Sequence, residues 1–343
     1  MRLSSSRSTA ILHRPQQDFL LWDKAGTRPS LDQQFADRKD LIDAISGQQL
    51  ITHTRASAGT YRGSDGLIKT ATTNEARFDH DPVTGESLGL LVEELRSNLL
   101  LNSGTLATQD VTVTAVAHTL SFYGSGTVTL SGTHTATVVG TGAYPARTTL
   151  TFTPTAGTLT VTVSGAVEYA NLEIGSFATS YIPTTASTAS RSADVVSITG
   201  ANFSSWIDLN DGTFFSDSEV IAPNVQTQAA WSLTGGSYVT SLRQPQGAGN
   251  QFRAQIGNVF TSAPGTGNLL SVGTTKACVA YSGTAGRLQV GSSSNDVTAA
   301  GVLDATDLYI GSLAGGAPLN GTIRRLVYWD QRLPNDTLET ITQ

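Results

Sequence analysis

The chain has 343 residues, a net charge of −6, 14% charged residues and a single cysteine. That length allows two or three domains with sizeable cores. The modest acidity argues against a nucleic-acid partner, which asks for a basic stripe, and one cysteine excludes an intrachain disulfide framework.

Charge is concentrated at the start: residues 1–100 carry 12 of the 21 basic and 13 of the 27 acidic residues. A polar arm with Arg2, Arg7 and Arg14 opens the chain. Its Ser4-Ser5-Ser6 and Ser8-Thr9 leave no apolar core for a leader, and no stretch reaches the length of a transmembrane helix. A soluble protein made in a cytoplasm, without membrane insertion, is therefore expected. Phe19-Leu20-Leu21-Trp22 follows and must be buried somewhere. It reads either as a strand in the chain's own core or as an anchor into another subunit. A short helix is predicted over Asp37–Ile45. Turn signals at 57–59, 63–66 and 79–85 suggest an extended segment that wraps other surfaces, and Leu88–Leu101 reads as a strand followed by a helical turn.

Between Thr105 and Thr162 there are 19 threonines against one acid, Asp110, and one base, Arg147. They alternate with apolar residues, as in Thr127-Val128-Thr129-Leu130 and Thr158-Leu159-Thr160-Val161-Thr162-Val163. Period-two alternation places one set on each face of a strand, and β-branched threonine suits the outward face. Short strands punctuated by Gly124-Ser125-Gly126 and Gly140-Thr141-Gly142 predict a β-sandwich. After a Ser/Thr/Ala linker over Thr184–Arg191, a second β-rich unit begins. Its predicted strands are Ala193–Ile198, Thr213–Ile221, Ala229–Leu233, Tyr238–Leu242, Phe252–Ile256, Lys276–Tyr281, Leu288–Val290, Leu308–Ile310 and Gly321–Trp329. A capped helical turn over Pro334–Ile341 closes the chain.

Several stretches resemble a family of tailed-phage virion proteins, the head spike or tail fibre type. They are Ile51-Thr52-His53-Thr54-Arg55-Ala56-Ser57 with Gly59-Thr60-Tyr61; Asp65 to Ala71 with Asn74-Glu75-Ala76-Arg77-Phe78-Asp79; Gly89 to Leu100; Thr119 to Val128; and Phe177 to Thr184 with Arg191-Ser192-Ala193-Asp194. The last 150 residues are similar to a concanavalin-type (laminin-G-like) sandwich, whose closing strand Gly321–Trp329 resembles. The resemblance covers roughly residues 50–343. It implies a virion appendage, often oligomeric, with surface-binding sandwiches.

The expected architecture is thus mainly β. A virion-attachment or wrapping region spans 1–102, a Thr-rich sandwich of jelly-roll or carbohydrate-binding-module type 103–184, and a concanavalin-like sandwich 192–343. Expected partners are other virion proteins of capsid or tail and host-surface glycans, in a homo-oligomer with a trimer as first choice. The expected location is the virion, assembled in the host cytoplasm.

Neither catalytic residues, metal ligands nor a cofactor are expected. Asp217-Ser218-Glu219 is the nearest approach to a glucanase carboxylate pair but lacks a third acid, and its plain reading is a solvated strand face. Asp208-Leu209-Asn210-Asp211-Gly212 reads as a turn rather than a calcium loop. Cys278 reads as a small buried hydrophobe. For glycan binding the candidates are Trp206, Trp231, Tyr238 and Arg243, with Phe252, Asn250 and Gln244 nearby; the opposing reading puts the tryptophans in the sandwich core. The alternatives to a structural protein are a tail-associated polysaccharide depolymerase and a free carbohydrate-binding module.

Overall fold

A computed structural model describes residues 17–221, 228–235, 239–244, 251–256, 259–263, 274–298 and 303–343. The architecture is mainly β, built from antiparallel sheets.

The Thr-rich segment forms a sandwich of a four-stranded and a three-stranded sheet. The first carries Ala136–Val139, Thr127–Gly132, Gly157–Ser164 and Gln109–Val113; the second carries Thr148–Phe152, His118–Tyr123 and Glu168–Ile174. The alternation works as its period requires. Val128, Leu130, Leu159 and Val161 are fully buried between the sheets, whereas Thr112, Thr158 and Thr162 are exposed.

A second, larger sandwich encloses the main core. One sheet has eight strands, ordered Ser293–Thr298, Ala285–Val290, Thr274–Ser282, Asp211–Val220, Gly321–Trp329, Ser87–Val92 and Phe78–His80, with Leu31–Gln33 also pairing to Gly321–Trp329. The other has seven, ordered Thr52–Thr54, Val195–Thr199, Ala305–Ile310, Gln228–Gly235, Val239–Gln244, Gln251–Ile256 and Val259–Ser262. Each strand expected after residue 192 is present, Gly321–Trp329 with the expected bounds and the others with shifted ends. Ser293–Thr298 and Val259–Ser262 were not expected. The first is a polar edge strand whose Ser-Ser-Asn-Asp reads locally as a turn.

The described residues before 100 pack onto a surface of this same chain. Leu31↔Tyr328, Val92↔Gly321 and His53↔Val196 are register partners. Leu31, Phe35, Leu50, Ile51, Leu90 and Val92 enter the same core as Trp231, Phe214 and Leu326. Sequence composition divides here, but the fold does not.

Phe19-Leu20-Leu21-Trp22 is not a strand. It lies in helix α1 (Gln17–Ala25). Leu21 and Ala25 pack with Leu338 and Ile341 of the C-terminal helix (Asn335–Thr342) on the outer face of the eight-stranded sheet, over Phe215, Cys278, Val327 and Trp329. Half-buried Trp22 donates from Nε1 to Asp32 at 2.9 Å. These two residues thus have an intramolecular place; the side chains of Phe19 and Leu20 lie outside the described residues. The helix expected over Asp37–Ile45 is instead Phe35–Arg38, stopped by Lys39 in the left-handed region at φ 56°.

The helical turn expected near Leu101 is also replaced, by a second strand, Arg96–Asn98. Asn98 explains this. Fully buried, it donates from Nδ2 to the carbonyls of Ala170 (2.8 Å) and Ile182 (2.9 Å), and its Oδ1 accepts from the amides of Leu100 (3.1 Å) and Leu172 (3.0 Å). A side-chain amide that saturates backbone groups of three segments holds the chain extended.

Candidate functional site

The motifs behind the family resemblance converge on one buried ionic junction. Arg55, Arg77, Glu93 and the pair Arg191 and Asp194 come from four separate segments, and each is at most 1% exposed. Asp194, just ahead of strand Val195–Thr199, accepts from Arg55 Nη1 at 2.9 Å, from Arg77 Nη2 and from the Glu93 amide at 3.0 Å. His53 Nε2 lies 3.2 Å from the same carboxylate. Glu93 accepts from Arg77 Nη1 (2.7 Å), Ser180 Oγ (2.7 Å) and the Ser180 amide (2.7 Å), and pairs with Arg191 at 3.1 Å. Arg191 also donates to the Glu94 carbonyl at 2.6 Å, and Arg55 to the carbonyls of Ser57 (2.9 Å) and Thr72 (2.8 Å). Planar guanidinium groups are suited to this, because each presents several donors in fixed directions.

Electrostatically the junction is matched. Three arginines face Glu93, Asp194 and the buried Glu173, which contributes to the field at Arg191. Burial alone would raise both acids; the guanidinium charges and donated hydrogen bonds prevail, holding Glu93 at about 2 and Asp194 well below the ordinary carboxylate range. Ser180 and Thr179 end the Thr-rich sandwich, while Asp194 and Arg55 flank paired strands of the larger one. The junction therefore locks the two sandwiches together. Its residues were legible as family-like motifs, but nothing in their spacing announced that they meet.

The glycan candidates separate. Trp231 is 1% exposed and stacks on Phe214 at 4.1 Å between the sheets, so it offers no platform; its alternate place on strand Gln228–Gly235 points it into the core. Tyr238 lies outside the described residues. Arg243 lies in strand Val239–Gln244, opposite Gln228 and Phe252, and its side chain is outside the described residues. Trp206 is buried edge-on against Phe203, Phe214 and Tyr328, yet it lines an open cavity of about 740 Å³ with Ser204, Ser205, Asp208 and Asp330. Its buried indole N–H has no acceptor among the described residues. A cavity of this size lies within the range of small-molecule pockets. The Asp208–Gly212 turn forms as expected, with Asp208 Oδ1 accepting from the Asn210 amide at 2.8 Å, and no three metal-ligating side chains cluster among the described residues. Cys278 is fully buried in strand Thr274–Ser282, and burial pushes its thiol up.

Asp217 and Glu219 do not lie on an open solvated face. Both point to the outer side of the eight-stranded sheet and are half-buried there, because their strand is central and helices pack on that side. Burial pushes Asp217 up to about 6 from its ordinary 3.8, against the opposing pull of Arg324, Lys276 and Arg325. The folded chain therefore binds this proton more tightly than the unfolded chain. The associated stability is full below pH 3.8 and is lost as pH rises through 6. Asp217→Asn is expected to raise stability by about 1–3 kcal/mol at pH 8 and to change little at pH 3.5. Urea midpoints of both proteins at the two pH values measure this.

No protein-family model matches the sequence, and no curated protein does. Several solved structures are similar in part. The CBM40 of Ruminococcus gnavus IT-sialidase, bound to alpha2,6 sialyllactose, is 14% identical with a TM-score of 0.33, covering 39% of this chain and 84% of that one. Domain 4 of AbnA, a GH43 extracellular arabinanase from Geobacillus stearothermophilus in complex with arabinotriose, is 11% identical with a TM-score of 0.32, covering 49% and 82%. The leech intramolecular trans-sialidase is 15% identical with a TM-score of 0.33, covering 41% of this chain and 24% of that one. The likeness is one of β-sandwich fold and extends no further.

Proposed function

We propose that this protein is a structural appendage of a tailed-phage virion, presenting two locked β-sandwiches that adhere to host-surface glycans. The observation carrying this reading is the ionic junction. The short motifs that resemble virion proteins supply Arg55, Arg77, Glu93, Ser180, Arg191 and Asp194; Arg77, Glu93 and Arg191 reach Ser180 at the end of the Thr-rich sandwich, and Asp194 and Arg55 tie that cluster to the larger one. Such motifs describe a rigid two-part body, as an appendage under mechanical load requires. Adhesion falls to the open cavities of the larger sandwich, the one beside Trp206 among them. Assembly as a trimer, and attachment to a capsid or tail protein through the N-terminal region, belong to the same proposal.

Mass spectrometry and immunogold labelling of purified virions test it. The protein is expected on the particle at a stoichiometry divisible by three, and its absence from intact virions overturns the reading. Light scattering of the full-length chain is expected to give three times the monomer mass.

A further inference from the structure

A second cavity, about 600 Å³, opens on the outer face of the eight-stranded sheet between α1, helix Phe35–Arg38 and the C-terminal helix. Its floor depends on an irregularity. Asp217 pairs with Arg325 and Ser218 with Ile323, so Arg324 is the extra residue of a β-bulge. Successive side chains of a regular strand point to opposite faces. The bulge breaks that rule, and both arginines line this one cavity. Gly89 permits the close approach across from it: a Cβ there would lie 2.1 Å from the Ile323 carbonyl oxygen.

Both arginines are held in place. Arg325 donates to Asp32 from Nε at 2.9 Å and from Nη2, and Arg324 Nη1 reaches Glu86 at 2.8 Å and the Ser87 carbonyl at 3.0 Å. What remains is unspent hydrogen-bonding capacity. Arg324 Nε, Ser87 Oγ and Asp217 Oδ1 are all buried without a partner among the described residues. Unpaired buried polar atoms are costly, so three around one cavity point to a ligand. The charge is local and reversed from the chain as a whole. Lys24, Lys39 and Lys276 join the two arginines against the acids Asp37, Glu86 and Asp217, on a chain of net charge −6. Leu21, Phe215 and Ile341 supply an apolar wall.

We infer that this cleft binds an acidic sugar residue, one carrying a carboxylate on a hydroxylated ring, as part of a host-surface glycan. The inference rests on the adhesion reading above and names its ligand class. Lys276 and the free Arg324 Nε–H meet the carboxylate, Asp217 and Ser87 take ring hydroxyls, and the apolar wall faces the C–H surface of the ring. A neutral sugar leaves the cationic groups unanswered, and an inorganic anion leaves Asp217 opposed.

Calorimetric titration of the full-length protein tests this with a glucuronate-containing tetrasaccharide and a sialylated trisaccharide, each beside its neutral counterpart, and with inorganic sulfate. At least one acidic glycan is expected to bind ten-fold or more tightly than its neutral counterpart and than sulfate. Arg324→Gln and Lys276→Gln are each expected to weaken that binding about ten-fold, whereas Thr158→Ala, on the exposed face of the Thr-rich sandwich, leaves it unchanged. Thermal unfolding of each variant separates lost binding from lost fold, and Lys276→Gln, at a half-buried residue whose amine reaches the Gln343 carbonyl, serves if Arg324→Gln is unstable. Equal binding of acidic and neutral sugars, binding unaffected by either substitution, or sulfate binding as tight as the glycan overturns the cleft while leaving adhesion standing. Binding to none of the glycans overturns both.

Discussion

Asp194→Ala is expected to destabilise the protein by about 3–5 kcal/mol, the range for removing one partner of a buried ion pair. The loss goes beyond one bridge. Asp194 is the shared acceptor of Arg55 and Arg77, takes the Glu93 amide and lies against His53. Without it two guanidinium groups, each at most 1% exposed, keep their positive charge while Arg55 loses its carboxylate partner and Arg77 one of its two. Asp194→Asn preserves the shape and some of the acceptors and is expected to cost less. Urea denaturation at pH 7 measures both; a loss below about 1 kcal/mol for the alanine variant would show the junction to be as weak as a surface pair.

The pH dependence has a definite sign. Glu93 falls from 4.5 to about 2 on folding, and Asp194 falls well below its usual range. Their stabilisation is fully present above the unfolded values and is lost as pH falls through the folded ones. Acid unfolding is accordingly expected to steepen below about pH 4 and to be shallower in Asp194→Asn.

A fragment starting at Asn102 is expected to lose the larger sandwich altogether. The deletion removes Leu31, Phe35, Leu50, Ile51, Leu90 and Val92 from the main core. At roughly 1.5–3 kcal/mol for each large apolar side chain fully buried, the six together match the whole stability of a typical domain, about 5–15 kcal/mol. The cut also removes four strands that pair with the remainder and takes Arg55, Arg77 and Glu93 away from Asp194. The Thr-rich sandwich keeps nearly all its core, losing Leu100 and the packing of Leu99. The fragment should therefore keep β-rich far-ultraviolet dichroism while losing the near-ultraviolet signal of Trp206, Trp231 and Trp329 and becoming sensitive to protease after residue 192. A cooperative fragment with native tryptophan signals would contradict the wrapped topology.

Local pattern alone determined much of this protein. The threonine alternation placed Val128, Leu130, Leu159 and Val161 inside, and apolar runs located Thr274–Ser282 and Gly321–Trp329, because a strand's two-residue period is written in neighbouring positions. The same local logic failed at Phe19–Trp22. An apolar run of four fits strand and helix alike, and packing against the C-terminal helix decided between them. Only the tertiary structure could show that Arg55, Arg77 and Glu93 of the charged N-terminal part are interior, since burial of Arg55 or Arg77 depends on partners more than a hundred residues away. The bulge at Arg324 is equally invisible in sequence: Arg-Arg reads as one residue per face until its pairing with Asp217 and Ser218 slips by one. Patterns report periods along the chain. Junctions and clefts are made by which segments meet, and that is settled by long-range pairing and the matching of buried charge.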